Sequence, residues 1–471
     1  MRVRSVALSS ICGMLMACTT VYYVTEPAAP ARELAARRAP IVPPAADTAA
    51  ALAIEARAGH SALREGSRTF VLLEASARSG AAVERPRPRT LLVIDRSGSM
   101  RGRRIDEARA AAERWVSEAP AGDVIGVAAF DSRSELLVPP IALDDDTRIR
   151  LARAIRDIEP SGDTCISCGL DEAKRALGTS DDMGRIVLLT DGEATTGVTD
   201  VQGLRTLAAG YGERGLGITT IGLGVGYNEA ALSAIALASN AHHHFVGSPS
   251  DLATVFDRER QALAKTTVAG ADAEIELGAG VELVNVVARD FRREAGRVVV
   301  PLGAFTAGDR KTVLVEVKMG PLAGERPLAS VRVRYRDVAR ERKVALEQAL
   351  RITVGGEQSE MDPVVLLRLE RDANAKMFER ASQLFEAGER AAALVGLTER
   401  RFVLVSAMKR ATAQAEATRE PRAAEVRTGF AEQIESLDQA RAELERARPR
   451  TDTGRAATKT VRARHFMPAM L

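Results

Sequence analysis

The 471-residue chain reads as an α/β protein built on one doubly wound, mostly parallel sheet, with a flanking antiparallel β-sandwich and a C-terminal helical region. Three observations lead there. From Thr90 onward, short apolar runs alternate with amphipathic helical patterns across about 175 residues, the signature of a parallel sheet with crossover helices. From about residue 268 the apolar period becomes two, as in strands half-buried on one face. After Asp362-Pro363, a pair suited to an N-cap and first helical position, the pattern is helical to about 447.

The elements follow in chain order. Residues 1–18 carry Arg2 and Arg4, an apolar run of about a dozen residues and small residues at a cysteine. That is the layout of an export signal rather than of a spanning helix. Leu15-Met16-Ala17-Cys18 resembles the lipobox of bacterial lipoproteins. The resemblance implies that Cys18 is lipidated and holds the mature chain on a membrane, the outer one given Thr19 rather than Asp after it. Residues 19–58, rich in Ala and Pro, read as a linker. Within 59–88 lies one strand, TFVLLEASA, expected to join the sandwich and so to make the α/β domain an insertion.

That domain is expected over 89–264. TLLVID is a buried strand, and the next helix turns Ile105, Ala108, Ala112 and Trp115 to one face. VIGVAAF is the second strand; ELLVP is an edge strand because prolines follow it. TRIRLARAIRDI is a helix expected to face Ile149, Leu151, Ile155 and Ile158 inward, and GLDEAKRAL is another. RIVLLT, ITTIGL and HHFV complete six strands, and DLATVFDRERQALA is the closing helix. The sandwich spans 268–355, with short strands such as VELVNVV and KTVLVEVKM separated by Gly-bearing turns. The helical region spans 360–447, with Val426, Phe430, Ile434, Leu437 and Leu444 as one apolar seam; 448–471 reads as a mobile basic tail.

Composition narrows the function. Aromatics are 4% with a single Trp, which argues against stacking platforms for bases or sugars. A net charge of +3 from 66 basic and 63 acidic residues gives no global footprint for nucleic acid. With Cys12 removed in the signal and Cys18 committed to lipid, Cys165 and Cys168 are the remaining thiols. Export to an oxidising compartment favours a disulfide between them.

Ligands in such a sheet bind beyond the carboxyl ends of the strands. TLLVID ends at Asp95 in the turn DRSGSM, which adds Ser97 and Ser99; Thr164 lies in the loop before GLDEAKRAL; RIVLLT ends at Asp191-Gly192. Two carboxylates and three neutral hydroxyls suit a hard cation that prefers oxygen, Mg²⁺ first, with Mn²⁺ or Ca²⁺ as alternatives. With few anionic ligands, the ion stays electrophilic toward an incoming carboxylate.

D-x-S-x-S at 95–99, G-x-T at 162–164 and T-D-G at 190–192 resemble the metal-ion-dependent adhesion site of von Willebrand factor type A domains. The resemblance spans about 89–264, and it implies a Rossmann-like fold and metal ligation by Asp95, Ser97, Ser99, Thr164 and Asp191. Thr164 is the ligand implied to change between states. The wider layout is similar to bacterial envelope proteins carrying this domain beside a β-sandwich.

Other motifs have blander readings. Gly222, Gly224 and Gly226 follow a strand with spacing G-x-G-x-G, which suits a tight turn better than a dinucleotide fingerprint. Adjacent His242, His243 and His244 alternate faces on a strand and cannot all reach one ion. Asp144, Asp145 and Asp146 read as a solvated turn, and DRSGSM lacks the elbow of a serine nucleophile. The expectation is therefore a non-enzymatic, lipid-anchored envelope protein that docks an exposed Asp or Glu of a protein partner on a metal ion. Two alternatives stand beside it: thiol-disulfide exchange at Cys165/Cys168 in the periplasm, and a purely structural scaffold.

Overall fold

The computed structural model describes residues 50–78, 89–178, 184–321 and 323–463. The expected signal segment with Cys18, and the linker up to residue 49, lie outside the described residues.

The chain opens with β1 (Leu52–Ala58), β2 (Ala62–Leu63) and β3 (Arg68–Ala77). The linker expectation reached Ala58, but Leu52–Ala58 pairs antiparallel with β3 along its whole length. LAIEARA looks like tether because its core-facing residues, Leu52 and Ala56 among them, include small alanines, and their burial comes from partners distant in sequence.

The α/β domain then runs β4 (Arg89–Asp95), α1 (Arg103–Glu118), β5 (Val124–Phe130), β6 (Ser134–Ala142), α2 (Asp145–Arg156), α3 (Ile166–Leu177), β7 (Gly184–Thr190), α4 (Val201–Gly212), β8 (Gly217–Leu223), α5 (Glu229–Ala238), β9 (His243–Val246) and α6 (Leu252–Leu263). The sheet order is β6-β5-β4-β7-β8-β9, parallel except for the edge strand β6. Its central strands are buried on both faces, which is why they read as continuous apolar runs. Helices α1, α2 and α6 cover one face, and α3, α4 and α5 cover the other.

Leu151, Ile155 and Ile158 face the core as expected. Ile149 does not, being 66% exposed. Two residues before Leu151 it lies about 200° around the helix, on the opposite side. The acidic turn has a role: Asp144 caps α2, its carboxylate accepting from Thr147 N–H at 2.8 Å.

From β10 (Thr266–Leu277) through β11 (Val281–Val287), β12 (Arg292–Glu294), β13 (Arg297–Thr306), β14 (Arg310–Met319), β15 (Gly324–Asp337) and β16 (Arg342–Val354), two sheets form. They are β1-β3-β14-β11 and β12-β13-β10-β15-β16-β2, sharing one apolar core. Since β3 pairs with β14, the α/β domain is inserted into the sandwich between β3 and β10.

Helices α7 (Pro363–Glu386), α8 (Arg390–Ala417) and α9 (Ala423–Arg446) pack on one another as a bundle. Asp362 caps α7, accepting from the N–H groups of Val364 and Val365. The bundle lies on the outer face of the four-stranded sheet, where Leu72 and Leu314 meet Val364, Val365 and Leu367. At that seam Glu74, 3% exposed, accepts from Arg368 Nε at 2.7 Å and pairs with Arg422.

Within the expected basic tail, of which 464–471 lie outside the described residues, Asp452–Val461 forms a helix, α10, capped by Thr451. It is held by Lys459, whose Nζ donates to the Tyr227 carbonyl at 2.8 Å and lies 3.4 Å above the Tyr227 ring. Among the described residues no helix is long and apolar enough to cross a membrane.

Candidate metal centre

Parallel pairing brings the ends of β4, β5, β7 and β8 to one edge of the sheet. Asp95 is the last residue of β4, and Asp191 directly follows β7. Their loops are tied by backbone bonds: Gly98 N–H donates to Gly162 O at 3.0 Å, and Ser161 N–H to Arg96 O at 2.7 Å. Asp131, beyond β5, anchors both loops, accepting from Arg96 Nε and Ser161 Oγ.

The side chains then converge. Ser97 N–H donates to Asp95 Oδ1 at 2.7 Å, and the Thr190 hydroxyl donates to Asp95 Oδ2, fixing that carboxylate from both sides. Ser97 Oγ and Ser99 Oγ are 3.0 Å apart, and Ser99 Oγ donates to Asp191 Oδ1 at 2.7 Å. Thr164 approaches from the second loop. Its N–H donates to Thr195 Oγ1, and its carbonyl accepts from Thr195 and Thr196. A Cβ added at Gly192 would sit 3.4 Å from Thr164 Oγ1 and 3.6 Å from Ser99 Oγ, so those two hydroxyls face the same small space. All five residues expected as ligands are thus gathered at one edge.

Asp95, Ser97, Thr164 and Asp191 are buried, while Ser99 is exposed and opens the site to solvent. Burial pushes the Asp95 carboxyl up to about 6; the bonds from Thr190 and Ser97 oppose this and the neighbouring Asp191 adds to it. Two carboxylates and three hydroxyls in this geometry fit a hard divalent ion with positions left for water or an incoming oxygen.

Cys165 and Cys168 are disulfide-bonded, with Cα atoms 5.3 Å apart. Cys165 is the N-cap of α3, its Sγ accepting from Cys168 N–H, and its own N–H donates to Asp131 O. The sulfur also carries the next loop, because a Cβ at Gly197 would lie only 2.7 Å from Cys165 Sγ.

Three participants escaped the sequence reading. Thr190 positions Asp95, and its place before the aspartate in T-D-G was a visible signal. Gly192 leaves the hydroxyls their space. Arg104 pairs with Asp191 Oδ2 and donates to Ser99 O at 3.1 Å, yet in sequence it is one of several arginines on a helix.

The remaining motifs settle as turn and core. Gly224 has φ +75°, a Cβ at Gly222 would fall inside the Tyr227 ring, and one at Gly226 would lie 3.5 Å from the Asp191 carbonyl. His243 is buried between Thr220 Oγ1 and Tyr227 Oη, whereas His244 faces Glu259. The histidines point to opposite faces, as alternation requires.

Residues 90–193 match the family model of the von Willebrand factor type A domain. Two solved structures share the fold. A von Willebrand factor type A protein from Catenulispora acidiphila aligns with TM-score 0.64 and 17% identity, over 77% of this chain and 88% of that one. The ArnB paralog VWA2 of Sulfolobus acidocaldarius aligns with TM-score 0.56 and 15% identity, over 90% and 100%. The inserted α/β body is therefore a von Willebrand factor type A domain.

Two curated relatives are themselves uncharacterized. A Synechocystis protein is 27% identical over 277 residues, which cover 56% of this chain and 65% of that protein. The Escherichia coli protein YfbK is 26% identical over 214 residues, covering 44% and 37%. The match thus spans less than two thirds of either relative's length.

Proposed function

We propose that this protein is a metal-ion-dependent binding module of the bacterial cell envelope, which docks an acidic side chain of a protein partner at the strand ends of its type A domain. The observation that carries this reading is the convergence of Asp95, Ser97, Ser99, Thr164 and Asp191 from three loops onto one small space. A bound Mg²⁺, or Mn²⁺ or Ca²⁺ in its place, supplies an electrophilic centre for a carboxylate oxygen. The chain's own residues do the rest. Asp95 and Asp191 supply negative charge from fixed positions, Ser97 and Ser99 supply neutral oxygens, and exposed Ser99 leaves one side accessible.

The serines engage each other and Asp191 rather than a histidine, which supports binding over nucleophilic catalysis. Buried Cys165, bridged to Cys168 and packed under the 195–198 loop, supports restraint of the Thr164 loop over thiol exchange. Lipid attachment at Cys18, and with it the outer-membrane placement, rests on residues 1–19 alone. Capture of an envelope protein by the native chain, abolished by chelator and by Asp95→Ala, is the expected result. Capture that ignores both would refute the reading.

A further inference from the structure

Arg104 is set against the candidate metal site. It lies in the first turn of α1, beside Arg103 and just past Gly102, at the helix end whose dipole disfavours cations. Its partner explains the placement. One guanidinium nitrogen pairs with Asp191 Oδ2 and also reaches the Ser99 carbonyl. A second nitrogen lies 3.8 Å from where a Cβ at Gly224 would be, so the group bridges the β4 and β8 loops on either side of Asp191.

Asp191 is therefore engaged on both oxygens: Oδ1 by the Ser99 hydroxyl, Oδ2 by Arg104. The carboxylate itself is wholly buried, while the Arg104 side chain is 41% exposed. The guanidinium can leave toward water; the carboxylate cannot follow. Resting on the metal-site reading above, we propose that Arg104 is a tethered counter-cation that competes with the divalent ion for Asp191, so that metal loading requires the guanidinium to leave the carboxylate. Once displaced, the same group stands at the rim of the site, where it offers a planar, bidentate donor to the incoming acidic side chain.

The size of the effect follows from Coulomb's law. A unit charge about 5 Å from a doubly charged ion in a water-exposed setting weakens binding on the order of tenfold. Removing it strengthens binding by the same factor.

The test is a calorimetric titration of the full chain with Mn²⁺ at physiological salt, for wild type, Arg104→Gln and Arg104→Lys, paired with thermal melting in chelator. The proposal expects Arg104→Gln to bind Mn²⁺ about tenfold more tightly. It also expects that variant to melt lower than wild type in chelator, because buried Asp191 has lost its counter-charge. Arg104→Lys keeps the charge and is expected near wild type, which preserves the comparison if the glutamine variant folds poorly. Equal Mn²⁺ affinity in wild type and Arg104→Gln, or weaker binding in the latter, overturns the role of Arg104 while leaving the metal site standing. No Mn²⁺ binding by any of the three overturns the metal-site reading itself.

Discussion

Converting both cysteines of the disulfide to serine separates a restraint on the Thr164 loop from a bystander role. The bridge closes a loop of four residues, Cys165 to Cys168, and the chain-entropy relation gives such a loop about 2 kcal/mol of stabilisation. Part of that returns on substitution. Cys165 is the N-cap of α3 and accepts from Cys168 N–H through its disulfide sulfur at 3.3 Å; a serine hydroxyl caps better than a sulfur, by about 0.5 kcal/mol. The net expected loss for Cys165→Ser with Cys168→Ser is about 1–2 kcal/mol.

The effect on the site should be smaller than on stability. Thr164 keeps its backbone bonds to Thr195 and Thr196, and Cys165 N–H keeps its bond to Asp131, whichever atom sits at Cys165 Sγ. A few-fold loss of Mn²⁺ affinity is expected. The assay is urea unfolding, with parallel Mn²⁺ titration, of oxidised wild type, reduced wild type and the double serine variant. If all three unfold at the same urea concentration and bind Mn²⁺ alike, the disulfide restrains nothing and the reasoning fails.

Other perturbations reach different links of the account. Glu74→Gln removes one of the carboxylates that Arg368 and Arg422 share at the seam between sandwich and bundle, while Glu425 still pairs with both; a loss of about 1–3 kcal/mol is expected in urea unfolding, and no loss would contradict the seam. The same network sets an acid limit. Hydrogen bonds from Arg422, then Arg368, hold Glu425 at about 2, and Arg422 with Arg368 holds Glu74 below its usual range against the effect of burial. Folded values below the unfolded ones mean full stabilisation above about pH 5 and loss as pH falls toward 2; a stability profile flat from pH 6 to 2 would refute this. Gly192→Ala adds a methyl in ordinary contact with Thr164 Oγ1 and Ser99 Oγ. Folding stability should change by less than about 0.5 kcal/mol while Mn²⁺ binding weakens at least tenfold, a split that titration and unfolding together reveal. Saturating Mg²⁺, at about 100 times its dissociation constant, should stabilise the wild-type domain by about 2.7 kcal/mol and Asp95→Ala not at all.

The sequence was most legible where structure is local. Apolar runs and helical stripes gave the six strands and their helices, because strands buried on both faces carry their pattern within seven residues. The candidate site was readable for a related reason: each of its five donors lies at a strand end or in a loop that leads into a helix. What stayed hidden depends on partners far away in the chain. Leu52–Ala58 became a strand through β3, and Asp452–Val461 became an ordered helix through the contact of Lys459 with Tyr227, 232 residues earlier. Arg104 looked like one surface charge among many until folding set it against Asp191. Ile149 was misread for the opposite reason, since an apolar residue in an amphipathic segment does not identify its own face.

The central claim is that the five oxygens of Asp95, Ser97, Ser99, Thr164 and Asp191 form a divalent-cation site. Anomalous diffraction from crystals grown with Mn²⁺ tests it most directly. The account predicts one strong peak at the strand ends, with Ser97 Oγ and Ser99 Oγ at about 2.1–2.3 Å and the remaining donors reached directly or through water. An anomalous map with no peak there, or with the ion at His244 and Glu259 instead, would contradict it.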